Sequence, residues 1–442
     1  MSWAAEEFRE IDLGDRRLNR RAVLLAERLA AKPEASLPGA CGGWAETMAA
    51  YRFFQQEKLD WRDLMAPHWR CAEARMRPCP VVLCLADTTE LDFNGQAMAG
   101  LGPLSYEAQR GMYLHATYAV TPDREPLGVL DAWMWAREPK DAKTGIRPGV
   151  KESVRWIEGY ERIAELAAEV PQTRLVFVAD RESDILALMQ RAQALSHPAD
   201  WLVRAQHNRA LPGGQKLWAA STAGEPLGGV RFELPARPGQ TARIVRQAVW
   251  VSTVELPDGG NGRLAVTCVV ARELSPPAGV KPVEWRLLTN RTVAGLDAAI
   301  ELIDWYRARW EIEQFWHVVK NGCRVEALQL GTLERLERAL ALFLVVAWRI
   351  ARLMRLSRTD PQLDASLLFE RDEWIAAYAL NKKKPPAQPP TLNEVVRLIA
   401  MCGGFLGRKG DGEPGAKTLW QGLQAVMQFA EGIRFARENH VG

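Results

Sequence analysis

Two aspartates close apolar runs. Residues 80–87, Pro-Val-Val-Leu-Cys-Leu-Ala-Asp, end at Asp87, and residues 174–180, Arg-Leu-Val-Phe-Val-Ala-Asp, end at Asp180. Continuous apolar runs of this length predict buried strands. A carboxylate where such a strand opens to solvent is held rigidly at a sheet rim. Hard cations take such ligands: Mg²⁺ binds one or two carboxylates and keeps several waters. Two ions about 4 Å apart activate a nucleophile and stabilise a leaving oxygen in phosphoryl transfer. The plain alternative is that each Asp caps or turns the chain after its strand. Glu182 and Asp184 are alternatives to Asp180. Asp180 is preferred because it ends the strand, whereas Asp184 lies a helical turn further on.

A third acid should come from another element. A helix expected around 301–320 carries Tyr306, Arg309, Glu313 and Lys320 at offsets 0, 3, 7 and 14. At ~100° per residue these point within an arc of about 60°. Ala308, Ile312, Phe315 and Val319 fall on the opposite side. One stripe can pack, while the other collects a phenol, a guanidinium, a carboxylate and an ammonium. A phosphate-processing site uses that mixture: an acid for metal, cations and a phenol for phosphate oxygens. Arg309 and Glu313 at i, i+4 also fit a plain surface salt bridge.

The elements that position these residues follow from pattern. Strands are expected at 80–87, 112–120, 127–136, 174–180 and 201–205, with 112–136 a hairpin and helices at 152–169 and 183–195. That order is mixed α/β. Residues 206–290, rich in Gly and Pro, read as an all-β insertion with strands at 230–234, 242–256, 264–274 and 283–289. Helices are expected at 294–321, 332–357 and 364–380. A Pro-rich basic linker follows at 381–390, then a helical piece at 391–442. Near the start, Arg16, Arg17, Arg20 and Arg21 stripe one face of a helix opened by Gly14-Asp15, with Arg28 further along. That face either meets solvent or lies on a phosphate backbone.

Composition narrows the class. The chain has 442 residues, 48% hydrophobic and 25% charged, which excludes disorder and fibres for its bulk. Charge is nearly balanced, 57 Lys and Arg against 54 Asp and Glu, so nucleic-acid contact must come from local patches. The apolar run 339–348 is shorter than the ~20 residues of a membrane span and predicts a core helix. The polar start Met1-Ser-Trp-Ala-Ala-Glu-Glu predicts no signal peptide. Seven scattered cysteines without Cys-x-x-Cys predict neither a disulfide framework nor a zinc site, and point to a reducing cytoplasm. His115, within a strand, is expected to be structural. Cys84 and Cys323 are assigned no metal role, because hard ions prefer oxygen.

Tyr306, Arg309, Glu313 and Lys320, with two, three and six residues between them, resemble the Tyr-Arg-Glu-Lys signature of bacterial cut-and-paste DDE transposases. The resemblance is to the insertion-sequence-four type, and especially to the transposon-five transposase. Asp87-Thr88-Thr89 resembles the first Asp motif, and Asp180-Arg181-Glu182-Ser183-Asp184 the second. Glu284-Trp285-Arg-Leu-Leu-Thr289 resembles the strand that re-enters the core. Leu13-Gly-Asp-Arg-Arg17 and Tyr51-Arg-Phe53 resemble the end-binding domain, and 391–436 the dimerisation region.

The resemblance implies an α/β protein with a ribonuclease H-like catalytic core, an all-β insertion, and flanking helical N-terminal and C-terminal domains. The expected division is 1–68 for end binding, 69–360 for the core and 361–442 for dimerisation. It implies that Asp87, Asp180 and Glu313 hold two Mg²⁺ ions, with Mn²⁺ able to substitute. Tyr306, Arg309 and Lys320 would hold phosphates, and Trp285 and Trp310 would receive an extruded base. Arg16, Arg17, Arg20 and Arg21 would bind the transposon end, and Arg204 and Arg209, with His207 between, would lie along DNA. The implied partners are double-stranded inverted-repeat ends, target DNA and a second copy of the chain in a synaptic complex, with no membrane. The implied reaction is end cleavage through a hairpin and joining of the 3′ ends to target. Rival readings are a ribonuclease H-fold nuclease without strand transfer and a non-catalytic end-binding regulator.

Overall fold

The computed structural model describes residues 2–234, 241–257 and 262–439. Residues 235–240 and 258–261 of the expected β insertion, and 440–442 of the expected C-terminal region, lie outside the described residues. Ten strands occur among the described residues. They are β1 (Val81–Asp92), β2 (Gly102–Pro103), β3 (Arg110–Val120), β4 (Pro126–Trp135), β5 (Arg174–Ala179), β6 (Asp200–Arg204), β7 (Gly228–Leu234), β8 (Arg243–Pro257), β9 (Arg263–Glu273) and β10 (Glu284–Thr289). The chain divides into two units. One comprises Met1–Arg75, Thr88–Gly149 and Ile312–Gly442, the other Met76–Asp87 and Val150–Glu311.

In the second unit, β5 lies parallel between the start of β1 and β6. Their apolar runs explain the placement: Val82–Ala86 and Leu175–Ala179 are buried throughout, as central parallel strands covered on both faces should be. β10, β9, β8 and β7 follow antiparallel in that order. The β insertion is therefore not a sheet of its own. Leu287 of β10 pairs with Arg204 of β6, so its strands extend the central sheet. A one-turn helix, Leu217–Ala220, interrupts the β texture. Helix Val154–Glu169 buries Trp156, Tyr160 and Ile163, and the Tyr160 hydroxyl donates to Ala199 O at 2.8 Å. The helix expected from 183 begins later, at Leu186, because a 3₁₀ turn at Arg181–Ser183 comes first.

In the first unit, helix Leu333–Thr359 is the core, and residues 339–347 have no exposure. It packs against β4 and the helices Arg16–Ala31 and Leu392–Cys402. Helix Arg16–Ala31 is capped by Asp15, whose side chain accepts from Arg17 N at 2.7 Å, and it buries Leu25 and Leu29. No helix among the described residues is long and apolar enough to cross a membrane.

A buried charge cluster ties that unit's start to its hairpin. His68 Nε2 accepts from Val129 N at 2.9 Å, so its Nδ1 carries the proton and donates to Glu7 Oε1 at 2.5 Å. Arg75 donates to both Glu7 oxygens at 2.9 Å and lies 4.2 Å over the Trp348 ring. Burial alone would raise the Glu7 carboxyl, but His68 and Arg75 hold it down at about 2, against an ordinary 4.5. A depressed carboxyl stabilises the fold above its unfolded value and loses that effect as pH falls. The Glu7 carboxylate should thus stabilise the fold at neutral pH, an effect lost as pH falls from about 4.5 toward 2. Glu7→Gln should lower the melting temperature at pH 7 and flatten its decline through that window. Thermal melts across pH check this; parallel curves for mutant and wild type would contradict it.

Candidate active site

Register brings the two aspartates together. Ala86 of β1 pairs with Ala179 of the parallel β5. Asp87, still in β1, and Asp180, the first residue past β5, follow that pair directly, where the two strands run ~4.8 Å apart. Their settings differ from the expectation. β1 does not end at Asp87 but runs on to Asp92. Asp180 leaves its strand and caps the 3₁₀ turn, Oδ1 accepting from Glu182 N at 2.8 Å. The capping alternative is real for this residue, but it engages one oxygen of the carboxylate.

Cationic and phenolic groups surround the pair. Arg309 Nη1 lies 3.7 Å from Asp87 Oδ2, and both side chains are only 13% exposed. Tyr306 is 7% exposed. Burial pushes its phenol up; Arg204, which hydrogen-bonds it, and Arg309 pull it down, while nearby Asp180 adds to the rise. The phenol is protonated at neutral pH and can donate. Arg204 Nη2 also reaches Glu284 O at 3.3 Å.

The expected continuous helix is broken where these groups sit. It runs Leu296–Ala308, then restarts as Trp310–His317. At the junction Arg309 N donates to Tyr306 O at 3.1 Å, a bond one residue tighter than an α-turn. Residues Val318–Gly322 form a π-turn. Lys320 lies within that turn. π-turns recur at functional sites. Asp87, Asp180, Arg204, Tyr306, Arg309, Trp285 and Trp310 belong to the second unit; Glu313 and Lys320 belong to the first, as do the N-terminal arginines.

Three stretches of the chain match known protein families. Residues 1–59 match the family described as transposase DNA-binding, 157–348 the transposase DDE domain, and 345–441 the transposase Tn5 dimerisation domain. The chain is a DNA transposase. It resembles Tn5 in its three domains. Asp180, Tyr306, Arg309, Glu313 and Lys320 fall within the DDE match, and Asp87 precedes it. Among solved structures, a cryo-EM structure of the piggyBac transposase synaptic complex with hairpin DNA is similar at 9% identity and a TM-score of 0.39. That match covers 99% of this chain and 80% of the other.

The second Asp of the 180–184 motif has a different job in the transposase. The Asp184 side chain has no exposure. It accepts from Arg209 Nη1 at 2.6 Å, Gln206 N at 2.7 Å and His207 N at 2.9 Å. Arg209 Nη2 adds a bond to Asp184 O at 2.8 Å. Asp184 thus pins the loop after β6. Arg209, expected along DNA, is instead committed within the fold. Trp285 stacks on Phe232, ring centroids 5.9 Å apart, and Trp310 is 60% exposed. Sequence reasoning missed Arg181 and Arg286. With Arg204, Glu284 and Trp285 they line a cavity of about 320 Å³.

Other expectations resolve locally. Arg16, Arg17 and Arg20 are exposed and Arg21 half-buried; Arg17 pairs with Asp15 at 2.8 Å. Arg28 instead pairs with Glu46 and Glu431. His115 is buried, its Nδ1 2.8 Å from Thr88 Oγ1, as a structural histidine would be.

A DDE domain implies dependence on a divalent metal. The residues fit one: Asp87 and Asp180, which directly follow a registered pair of parallel strands, are hard oxygen donors. Burial pushes the Cys84 and Cys323 thiols well up, so they remain protonated and are poor ligands. Among the described residues no three His, Cys, Asp or Glu side chains are gathered as a finished metal cage. The division of labour between Asp180 and Asp184 is testable. Asp184→Ala strands Arg209 and should cost about 3–5 kcal/mol of stability, whereas Asp180→Asn should leave the melting temperature within a few degrees and abolish cleavage. Calorimetry beside a cleavage assay separates them; an unfolded Asp180→Asn would contradict the assignment.

Proposed function

We propose that this transposase, of the insertion-sequence-four type, cuts transposon ends through a hairpin and joins the 3′ ends to target DNA. The observation that carries the reading is that Asp87 and Asp180 directly follow the paired Ala86 and Ala179 of two parallel strands, with Arg309 beside Asp87 and Tyr306 near Asp180. The proposed core is ribonuclease H-like, spanning 69–360, with end binding by 1–68 and dimerisation by 361–442. It acts in the bacterial cytoplasm at the nucleoid.

Asp87, Asp180 and Glu313 are the proposed acids. They would hold two Mg²⁺ ions, or Mn²⁺, which when bound supply Lewis acidity and an activated nucleophile. The chain's own residues do the rest. Tyr306, Arg309 and Lys320 donate to non-bridging oxygens of the phosphate under attack. Every step is an in-line displacement at phosphorus, so the same donors serve nicking, hairpin closure, hairpin opening and strand transfer. Closing a hairpin strains the duplex end, and a base must leave the stack; Trp285, backed by Phe232, and exposed Trp310 offer it a surface. Arg204 extends the cationic surface toward the bound strand. Arg16, Arg17, Arg20 and Arg21 grip the double-stranded inverted repeat. A second copy of the chain brings the other end into the synapse.

Single-turnover reactions on end-bearing DNA distinguish this from a plain nuclease or a regulator. The expected products are nicked strands, hairpins and joined target; simple nicks alone would favour the nuclease. Glu313→Gln should retain end binding and lose cleavage by at least ~10³-fold; a variant that still cuts removes Glu313 from the site. Arg16→Ala/Arg17→Ala/Arg20→Ala should weaken end binding and shallow the slope of log K against log salt by roughly one per lost phosphate contact. An unchanged slope would return that helix face to solvent.

A further inference from the structure

A cavity of about 740 Å³ lies wholly within the first unit. Its walls include the helix Trp3–Glu7, the C-terminal half of helix Leu333–Thr359 and residues from the stretch 360–373. The first of these falls in the DNA-binding match and the last in the dimerisation match. The volume is that of a small-molecule pocket. Leu353, Leu356, Leu363 and Leu368 make much of the wall apolar, and among them stands a buried guanidinium, Arg349.

Arg349 is 5% exposed, yet the fold matches it poorly. Its guanidinium lies 4.8 Å over the Trp3 ring and 5.9 Å over Phe369. Its one hydrogen bond among the described residues runs from Nη2 to Leu368 O at 3.5 Å, the outer limit of such a contact. Glu373 and Glu370 act on it only through space, and burial pulls its pKa down against them. Both acids are engaged elsewhere: Glu370 pairs with Arg434 at 3.3 Å, and Glu373 Oε2 accepts from Glu370 N at 2.9 Å. Burial also raises the Glu373 carboxyl, which weakens its answer to Arg349. Of the other acids on the wall, Glu7 is held by His68 and Arg75, and Glu125 by Arg352 at 3.1 Å. Glu6 and Asp360 are exposed, where water screens them. Arg349 Nε and Nη1 have no partner among the described residues, and neither is sealed off from the cavity. A buried cation without a matching charge is costly, and an oxyanion meeting the guanidinium edge supplies that match.

We propose that this cavity binds a small organic anion, whose oxygens seat on Arg349 and whose apolar body lies against Trp3, Phe369 and the leucines. The oxyanion is a carboxylate or a phosphate monoester, and the test separates the two. Because the walls come from DNA-binding and dimerisation segments, occupancy stabilises the arrangement of those segments seen in the first unit. The site is independent of the hairpin reading and of the acid pair.

The full-length transposase is titrated calorimetrically with phenyl phosphate, benzoate, inorganic phosphate and phenol, and melted in the presence of each. Phenyl phosphate or benzoate should bind with a Kd of about 1 mM or tighter and raise the melting temperature. The tighter of the two identifies the oxyanion. Inorganic phosphate lacks the body and phenol the charge, so each should bind at least ~10-fold more weakly than that probe. Arg349→Met should abolish binding and leave the free protein melting at or above the wild-type temperature, because it removes an unmatched buried charge. Leu367 is 65% exposed at the cavity wall, so Leu367→Glu should keep the fold and weaken the anion about tenfold. No binding by the wild-type protein would leave a water-filled cavity and overturn the proposal. Phenol binding as tightly as phenyl phosphate and benzoate would reduce the site to an apolar void. Binding that survives Arg349→Met, or wild-type affinity in Leu367→Glu, would place the oxyanion at another cationic site. An Arg349→Met protein that melts well below wild type would make Arg349 a structural cation, and each of these results also overturns the proposal.

Discussion

The chemistry proposed for this transposase depends on one backbone alignment. β1 and β5 run parallel with Ala86 opposite Ala179, and this alone sets Asp87 and Asp180 at one level. Side chains alternate along a strand, so a one-residue slip would turn one aspartate to the other face of the sheet. The apolar residues before each acid enforce the register: Val82–Ala86 and Leu175–Ala179 have no exposed positions, and no polar residue among them could profit from an alternative pairing. Two like charges held this close repel. Arg309 beside Asp87 offsets that repulsion in the free protein, and a divalent ion would do so more strongly.

Around the pair, neighbouring carboxylates are sorted by burial and partners. Asp184 is four residues from Asp180 yet is saturated by Arg209 and two backbone N–H groups, so it serves the loop after β6. Asp180 gives one oxygen to a turn and lies half-buried. The broken helix does similar sorting among cations. Its interruption falls at Arg309, where Arg309 lies beside Asp87 and Tyr306 near Asp180.

Much of this is legible in the sequence where one interaction dominates. Continuous apolar runs announce β1, β5 and helix Leu333–Thr359, because burial on every side leaves no room for polar residues. Asp15 announces its helix through capping chemistry. Less was legible where partners are distant. The pairing of β10 with β6 depends on residues about eighty apart, so the insertion read as a separate β piece. The break at Arg309 has no Gly or Pro to announce it; the residues there are ordinary helix formers. The fate of Arg209 turns on a buried carboxylate 25 residues away. Arg181 and Arg286 were missed because each sits in a segment whose pattern speaks only of turn or strand, and the cavity joining them exists only in the fold.

The central claim is that Asp87 and Asp180 act as one ligand pair for a divalent cation. Anomalous diffraction from Mn²⁺-soaked crystals of the protein with an end-bearing DNA tests it most directly. The account predicts a manganese peak within coordination distance of both carboxylates, lost in Asp180→Asn crystals. A peak at Asp184 with none beside Asp87 and Asp180 would contradict it.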